Sequence, residues 1–374
     1  MKSIVPIFCV IAPSLLGTAS ASTNSTLDAL VLASTDNIQA ILTERSSWNV
    51  SKTCTAENVA VRKEWSTLTS LEKLDYIDAV KCLMNTKPIT PLSAAPGVRS
   101  RFDDFGALHV NKTSIIHWTS YFFTWHRYYT WLYESALRDE CGYNGTQPYW
   151  DWSSTDTIAK HPLFDGTATS ISGNGAPANH TSIIYLPTPD IINSTLPSGS
   201  GGGCLTSGPF ANFTVTLGPH GAPLNDGLQL NERCLTRDFR DWYLQEYLSY
   251  DNVTTAIVQP DLQSYSNVMG STYGGLHDGG HQSIGGLQDD LWASSQDPYF
   301  FFHHAQIDRI WSLWQGLGQD IRTKQVSDTI TIRNLPPSAN GTLETVVDMG
   351  FLAEAKTIGE LSSTIDGPFC YVYA

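Results

Sequence analysis

Ten histidines stand in the 374-residue chain, and none falls within residues 1–108. Three gather in one stretch, His109, His117 and His126, and four in a second, His277, His281, His303 and His304. His161, His180 and His220 are isolated, and an isolated histidine is ordinarily a satisfied core or surface residue. Two clusters, each able to deliver three imidazoles, point to metal ligation. The ligand types narrow the metal. Zinc hydrolases and di-iron proteins place carboxylates in the set, as in Glu-x-x-His. Phe123 occupies the place of such a glutamate before His126, and Asp278 directly follows His277, so on a helix it is expected to point away. Imidazole-only sites suit copper, and a pair of three-histidine coppers can take up O2 and cycle between Cu(I) and Cu(II). Two independent zinc sites are the competing reading.

Such ligands need rigid carriers. His277 and His281 are four apart, so a helix would project both rings from one face about 6 Å apart. Gly279 and Gly280 between them weaken that helix by about 1 kcal/mol each relative to alanine. A helix predicted over 298–315 carries His304, with Asp297 as N-cap, Pro298 as first residue and Asp308 one turn beyond the histidine. His117 and His126 are nine apart and would face opposite sides of one continuous helix, so one of them must sit on a loop or a separate helix. Further helices are predicted over 68–83, opened by Thr69-Ser70-Leu71-Glu72 and ended by Pro88 and Pro91, over 124–139, stopping at Cys141-Gly142, and over 237–250. A short strand is predicted at 329–333. Residues 166–231 are rich in Gly, Pro, Ser, Thr and Asn and read as long ordered loop, which a Cys204–Cys234 bridge would pin.

Composition sets the class. There are 22 Lys and Arg against 36 Asp and Glu, a net charge of −14, which excludes binding that relies on neutralising nucleic-acid phosphates. The hydrophobic share of 41%, with 11 Trp, 16 Tyr and 14 Phe, is enough for a large packed core. At the N-terminus Lys2, a short apolar run and Ala19-Ser20-Ala21 read as a signal peptide over 1–21. A single domain is expected over 22–374. No other segment approaches the roughly 20 apolar residues of a membrane span. Beyond the leader six cysteines remain, Cys54, Cys82, Cys141, Cys204, Cys234 and Cys370, read as three disulfides among 15 possible pairings. Nine N-x-S/T sequons, at Asn24, Asn49, Asn111, Asn144, Asn179, Asn193, Asn212, Asn252 and Asn340, fit a secreted glycoprotein.

The stretch Asp297-Pro-Tyr-Phe-Phe-Phe-His303-His304-Ala-Gln-Ile-Asp308-Arg309-Ile-Trp311 resembles the second copper motif of tyrosinases and catechol oxidases. His277-Asp-Gly-Gly-His281, followed by Gly285-Gly286, resembles the paired ligands that precede it. Trp125-His126-Arg127 and Pro148-Tyr-Trp-Asp-Trp152 are similar to the first copper motif. The resemblance spans residues 100–315, and size and leader look most like the short fungal members of this type-3 copper family. It implies that His109, His117 and His126 hold copper A, and His277, His281 and His304 copper B. His303 would stand beside the substrate ring, and Asp308 would orient a ligand through a hydrogen bond. Asp278 follows the first copper B histidine at the position that helps hold a water, and Leu291 occupies the gate position. Two departures stand out. Ile115 takes the place of a cysteine that many members link to the second copper A histidine. The Tyr371-Val-Tyr373 pattern resembles the close of the catalytic core, and no covering C-terminal domain is expected after it.

The fold class expected is mainly α: a four-helix bundle housing a dicopper centre, with long disulfide-tied loops and few short strands. The function expected is oxidation of o-diphenols and o-aminophenols by O2 to o-quinones and quinone imines, with weak or no monophenol hydroxylation. Hydroxylation must first remove a phenolic proton of pKa about 10, and an ionised Asp278 accepts hydrogen bonds but donates none. The alternatives are a full tyrosinase and, from another class, a haemocyanin-like O2 carrier.

Overall fold

The computed structural model describes residues 18–47, 53–184, 194–219, 226–270 and 274–374. Residues 1–17 of the expected leader, His220, Asn49 and Asn193 lie outside them. The architecture is mainly helical. Nine helices matter for the site: α1 (Thr18–Ser46), α2 (Ser70–Asn85), α3 (Arg101–Ile116), α4 (Phe122–Cys141), α5 (Asp241–Tyr247), α6 (Tyr250–Ile257), α7 (Leu262–Met269), α8 (Leu276–Ile284) and α9 (Tyr299–Gly316). The strands run two to four residues and form two-stranded sheets.

Local chemistry explains the helix ends. Thr69 and Glu72 form a reciprocal capping box at the start of α2, as their spacing predicts. Ser100 and Asp103 do the same for α3. Gly142 ends α4 in the left-handed conformation, φ 70°, where glycine carries no Cβ penalty. At α9, Asp297 Oδ1 accepts the Tyr299 N–H at 3.0 Å, with Pro298 between them.

Two segments depart from expectation. The helix predicted over 237–250 begins only at Asp241, because Arg237 and Arg240 turn fully buried guanidinium groups inward from non-helical backbone. Arg237 grips Asp297 through Nη2 at 2.7 Å and Nε at 2.9 Å, and Arg240 pairs with Asp289 and Asp238. Partners 60 and 49 residues away outweigh local propensity. The strand predicted at 329–333 is a single bridge from Thr329 to Asn340, after which Ile332–Asn334 turns as a 3-10 helix with Arg333 at φ 51°.

The core is aromatic. Trp65, Trp125, Trp150, Trp152, Trp311 and Trp314 are fully buried, and Phe301 stacks on Tyr133 with ring planes 4° apart. α4 packs against α9, α8 against α9, and α3 against α4, so the helices that bear the histidine clusters touch one another. Three disulfides tie the periphery: Cys54–Cys370, Cys82–Cys141 and the expected Cys204–Cys234. Ala60–Arg62 pairs in parallel with Tyr371–Tyr373, so the early chain and its last residues lie side by side.

Candidate metal centre

His109 projects from α3, His117 caps its C-terminus in extended conformation, and His126 sits on α4. The helix break expected between His117 and His126 is therefore real. It brings the three rings to centroid separations of 5.1–5.8 Å. Each ring is held by the nitrogen that faces away from its neighbours. His109 Nδ1 donates to the Trp292 carbonyl at 2.8 Å, His117 Nδ1 to Thr113 at 2.9 Å and His126 Nδ1 to Phe122 at 2.8 Å. A carbonyl only accepts, so the proton is fixed on Nδ1 and the Nε2 lone pair is left for a metal. All three Nε2 atoms are buried without a hydrogen-bond partner.

The second cluster is built on α8 and α9. His277 and His281 project from one face of α8, as their spacing predicts, with Nε2 atoms 3.1 Å apart. His281 Nδ1 donates to Gln288 Oε1 at 2.7 Å. His277 Nδ1 lies 3.2 Å from Asp278 Oδ1, which corrects the expectation that Asp278 points away: the side chain folds back along its own residue pair and holds the ring. His303 and His304 follow on α9, both fully buried, and their four ring nitrogens have no hydrogen-bond partner. One nitrogen from each of His277, His281, His303 and His304 lies within 4.8 Å of the others, and the same holds for His109, His117 and His126. The clusters adjoin. His126 stacks on His304 at 4.3 Å, and the rings of His117 and His277 are 5.8 Å apart.

Burial, followed by the neighbouring imidazoles, pushes these histidines down: His109 to about 3, and His117, His126, His281 and His304 well below the ordinary value. Desolvation likewise pushes the Asp278 carboxyl up to about 7. Neutral imidazoles with converging Nε2 atoms, unpartnered at His109, His117, His126 and His304, fit a pair of copper ions. They would make a poor packed core without a metal, because a buried polar atom with no partner is costly.

The other expected residues are placed as follows. Trp152 lies 5.1 Å from the His303 ring, and Tyr299 stacks on its other side. Leu291 is half-buried against the core. Asp308 does not touch a histidine, contrary to expectation, and neither Arg309 nor Arg322 pairs with it. Its carboxylate accepts from Arg127 Nε at 2.6 Å and from the hydroxyls of Tyr371 and Tyr373 at 2.7 Å each. It anchors the C-terminal strand to α9 because the buried arginine on α4 and the two tyrosines converge there. Of the isolated histidines, His161 meets Glu64 and His180 meets Asp238, as structural pairs. Gln288 and the Trp292 carbonyl, which hold His281 and His109, escaped the sequence reading; the Gly285-Gly286 turn just before Gln288 was their one signal.

A recess of about 140 Å³ opens onto one histidine of each cluster, His117 and His277, with Trp118, Phe122, Asp328 and Arg333 among its walls. Among the described residues no helix is long and apolar enough to cross a membrane.

A family model described as the common central domain of tyrosinase matches residues 99–317, which contain every one of these histidines. Tyrosinase P of Aspergillus terreus is 39% identical over 326 residues, 84% of this chain and 91% of that protein. An N-acetyl-6-hydroxytryptophan oxidase of Emericella nidulans is 37% identical, over 86% of this chain and 93% of that protein. A solved polyphenol oxidase from Thermothelomyces thermophila, 39% identical, superposes with a TM-score of 0.88 over 94% of this chain and 98% of that one. Copper motifs, paired histidine clusters and relatives along most of the chain agree, and the protein belongs to the tyrosinase family of dicopper oxidases that use O2.

Proposed function

We propose that this tyrosinase-family oxidase converts o-diphenols, and o-aminophenols, to o-quinones and quinone imines, with little monophenol hydroxylation. His109, His117 and His126 hold copper A, and His277, His281 and His304 hold copper B. His304 is favoured over His303 because its ring faces His126 of the other cluster, whereas His303 is clasped between Trp152 and Tyr299. Two coppers there would supply the redox chemistry, taking electrons from the phenol and passing them to O2. Two o-diphenols and one O2 then give two o-quinones and two waters. The protein's part is to keep the imidazoles neutral and aimed, and to admit the phenol past Phe122 to His117 and His277. Leu291, at the gate position of the resemblance, is half-buried against the core and is not among the residues that line this recess.

The observation that carries the preference for diphenols is the contact between Asp278 and His277 Nδ1. A carboxylate engaged in positioning a ligand is not a free base for a monophenol, whereas an o-diphenol offers two acidic hydroxyls. Asp278 is thus a positioning residue. Export, glycans on some of Asn49, Asn111, Asn144, Asn179, Asn193, Asn212, Asn252 and Asn340, and a single domain over 22–374 complete the reading. Three disulfides and the exposed Asn111, Asn144, Asn179, Asn212 and Asn340 support it.

Oxygen uptake by the copper-loaded protein with tyrosol and with hydroxytyrosol tests it. Rapid uptake with hydroxytyrosol alone is expected. Comparable initial rates without a lag would make the protein a full tyrosinase, and reversible O2 binding with no turnover of either would make it a carrier.

A further inference from the structure

The sequon Asn111-Lys112-Thr113 lies within α3, the helix that carries His109. Two residues turn a helix by about 200°, so Asn111 faces away from the metal ligands. Accordingly it is exposed, while His109 is fully buried. Among the described residues nothing hydrogen-bonds its side-chain amide.

Asn111 stands at the edge of a hollow of about 110 Å³ walled by Ala94, Leu108, Leu228, Phe351 and Leu352. None of these residues lines the recess over His117 and His277. Phe351 is 57% exposed, so the apolar walls end in an aromatic ring that meets water. The hollow is preformed. The Asp348 carboxylate accepts from Lys112 Nζ at 2.5 Å and from the Gly350 N–H at 2.9 Å, and the Asp348 carbonyl accepts the Trp125 Nε1–H at 3.2 Å. The 348–352 turn is thereby held against α3 and α4.

Size selects the occupant. Pockets that hold free small molecules run to about 300–1,000 Å³, so a free ligand finds too little surface here. A group tethered at the rim needs far less, because a short tether keeps it at millimolar effective concentration. The rim supplies that tether in Asn111 and its sequon. N-acetylglucosamine offers a face of ring C–H groups and a methyl, which match the phenylalanine ring and the leucine walls.

We propose that Asn111 is N-glycosylated and that its first N-acetylglucosamine packs on Phe351 in the hollow, fastening the 348–352 turn to the outer face of α3. The proposal rests on the export reading above for the sugar, and on the placement of Asn111 and Phe351 for its seat. In the transfer, Asn111 Nδ2 bonds to the anomeric carbon of an oligosaccharide carried on a lipid pyrophosphate. The bond from that carbon to the pyrophosphate breaks, and one amide proton passes to the transferase. The step belongs to the unfolded chain, since the Thr113 hydroxyl that completes the sequon is fully buried in the folded helix, where it donates to the His109 carbonyl at 2.6 Å.

The test uses the full chain secreted from a glycosylating fungal host. Mass spectrometry of the peptide containing Asn111 reads its occupancy, and a sugar there is expected. Calorimetric melting compares the parent with Asn111→Gln, Phe351→Ala and the double variant. Each single change should lower the melting temperature by about 2 °C, and the double change by the same amount rather than twice as much, because both remove one contact. Trimming every glycan to its first N-acetylglucosamine with an endoglycosidase should leave that pattern intact. A bare Asn111, losses that simply add, or a pattern that vanishes on trimming overturns the proposal. Should Phe351→Ala fail to fold, Phe351→Leu removes the aromatic face while keeping apolar bulk and decides in its place. Sugar at other sequons with Asn111 bare sinks this proposal alone, whereas sugar at none sinks the export reading with it.

Discussion

Gly280 lies directly against the His303 imidazole: a Cβ on Gly280 would fall 2.0 Å from His303 Cε1 and 2.2 Å from Nδ1. The glycine that weakens α8 as a helix is thus what lets α8 and α9 approach closely enough to share a histidine cluster. The Tyr299 hydroxyl donates to the Gly280 carbonyl at 2.9 Å and closes the same contact.

Gly280→Ala sets two effects against each other. Alanine is the better helix former by about 1 kcal/mol, while overpacking of this kind costs about 1–3 kcal/mol. His303 is walled in by Trp152 and Tyr299 and cannot yield, so the second effect wins. The variant should melt at a lower temperature and retain less copper. A raised melting temperature with full copper would show that the ring moves freely.

His304→Ala should hold one copper per chain where the parent holds two, and should consume no O2 with hydroxytyrosol. His303→Ala should keep both ions and change KM more than copper content. Metal analysis of the purified variants checks this, and the reverse pattern would make His303 the ligand.

Much of this site was legible in the chain. The four-residue spacing of His277 and His281 put both on one face of a helix, and the nine-residue gap from His117 to His126 demanded a break. Thr69 and Glu72 announced α2. Helix α3, which carries His109, was not predicted at all, and its capping box is completed by aspartate at Asp103 where glutamate is more common. Arg237 and Arg240 misled for another reason: their pairing with Asp297 and Asp289 is long-range, and nothing in four or seven residues of context reveals it. Asp308 sat one turn from His304, yet the groups that claimed it, Arg127 and Tyr371, were invisible to spacing.

Asp308→Ala should cost about 3–5 kcal/mol, because it leaves Arg127 buried without its carboxylate, whereas Arg62 keeps Glu134 at 2.6 Å. Tyr373→Phe removes one neutral hydroxyl donor and should cost about 1 kcal/mol. Denaturant unfolding of the two variants measures the difference. Equal losses would mean that Asp308 acts through the strand alone.

His180 and Asp238 make the pH-dependent contact. The Ala178 carbonyl and Asp238 hold the His180 imidazole above its ordinary value of 6.5. Burial opposes ionisation of Asp238, but the Gly199 and Gly201 amides and His180 outweigh it and hold the carboxyl below 3.8. The histidine's contribution is complete below pH 6.5 and fades as pH rises through its raised value. The aspartate's is complete above pH 3.8 and fades as pH falls through its lowered one. His180→Asn should therefore lower the melting temperature more at pH 5.5 than at pH 8.5. Equal drops would show that the proton on His180 contributes nothing.

The parallel pairing of Ala60–Arg62 with Tyr371–Tyr373 has a consequence for the order of events during synthesis. Tyr371 and Tyr373 reach Asp308, one turn beyond His304 on α9, so that helix gains a brace from residues made 63 and 65 positions later. A chain emerging N-terminus first can form α2, α3 and α4 early from near neighbours, but contacts across some 310 residues close late. The brace on α9 and His304 therefore forms after α3 and α4 can, and His109 on α3 is likewise fixed only once the Trp292 carbonyl is in place.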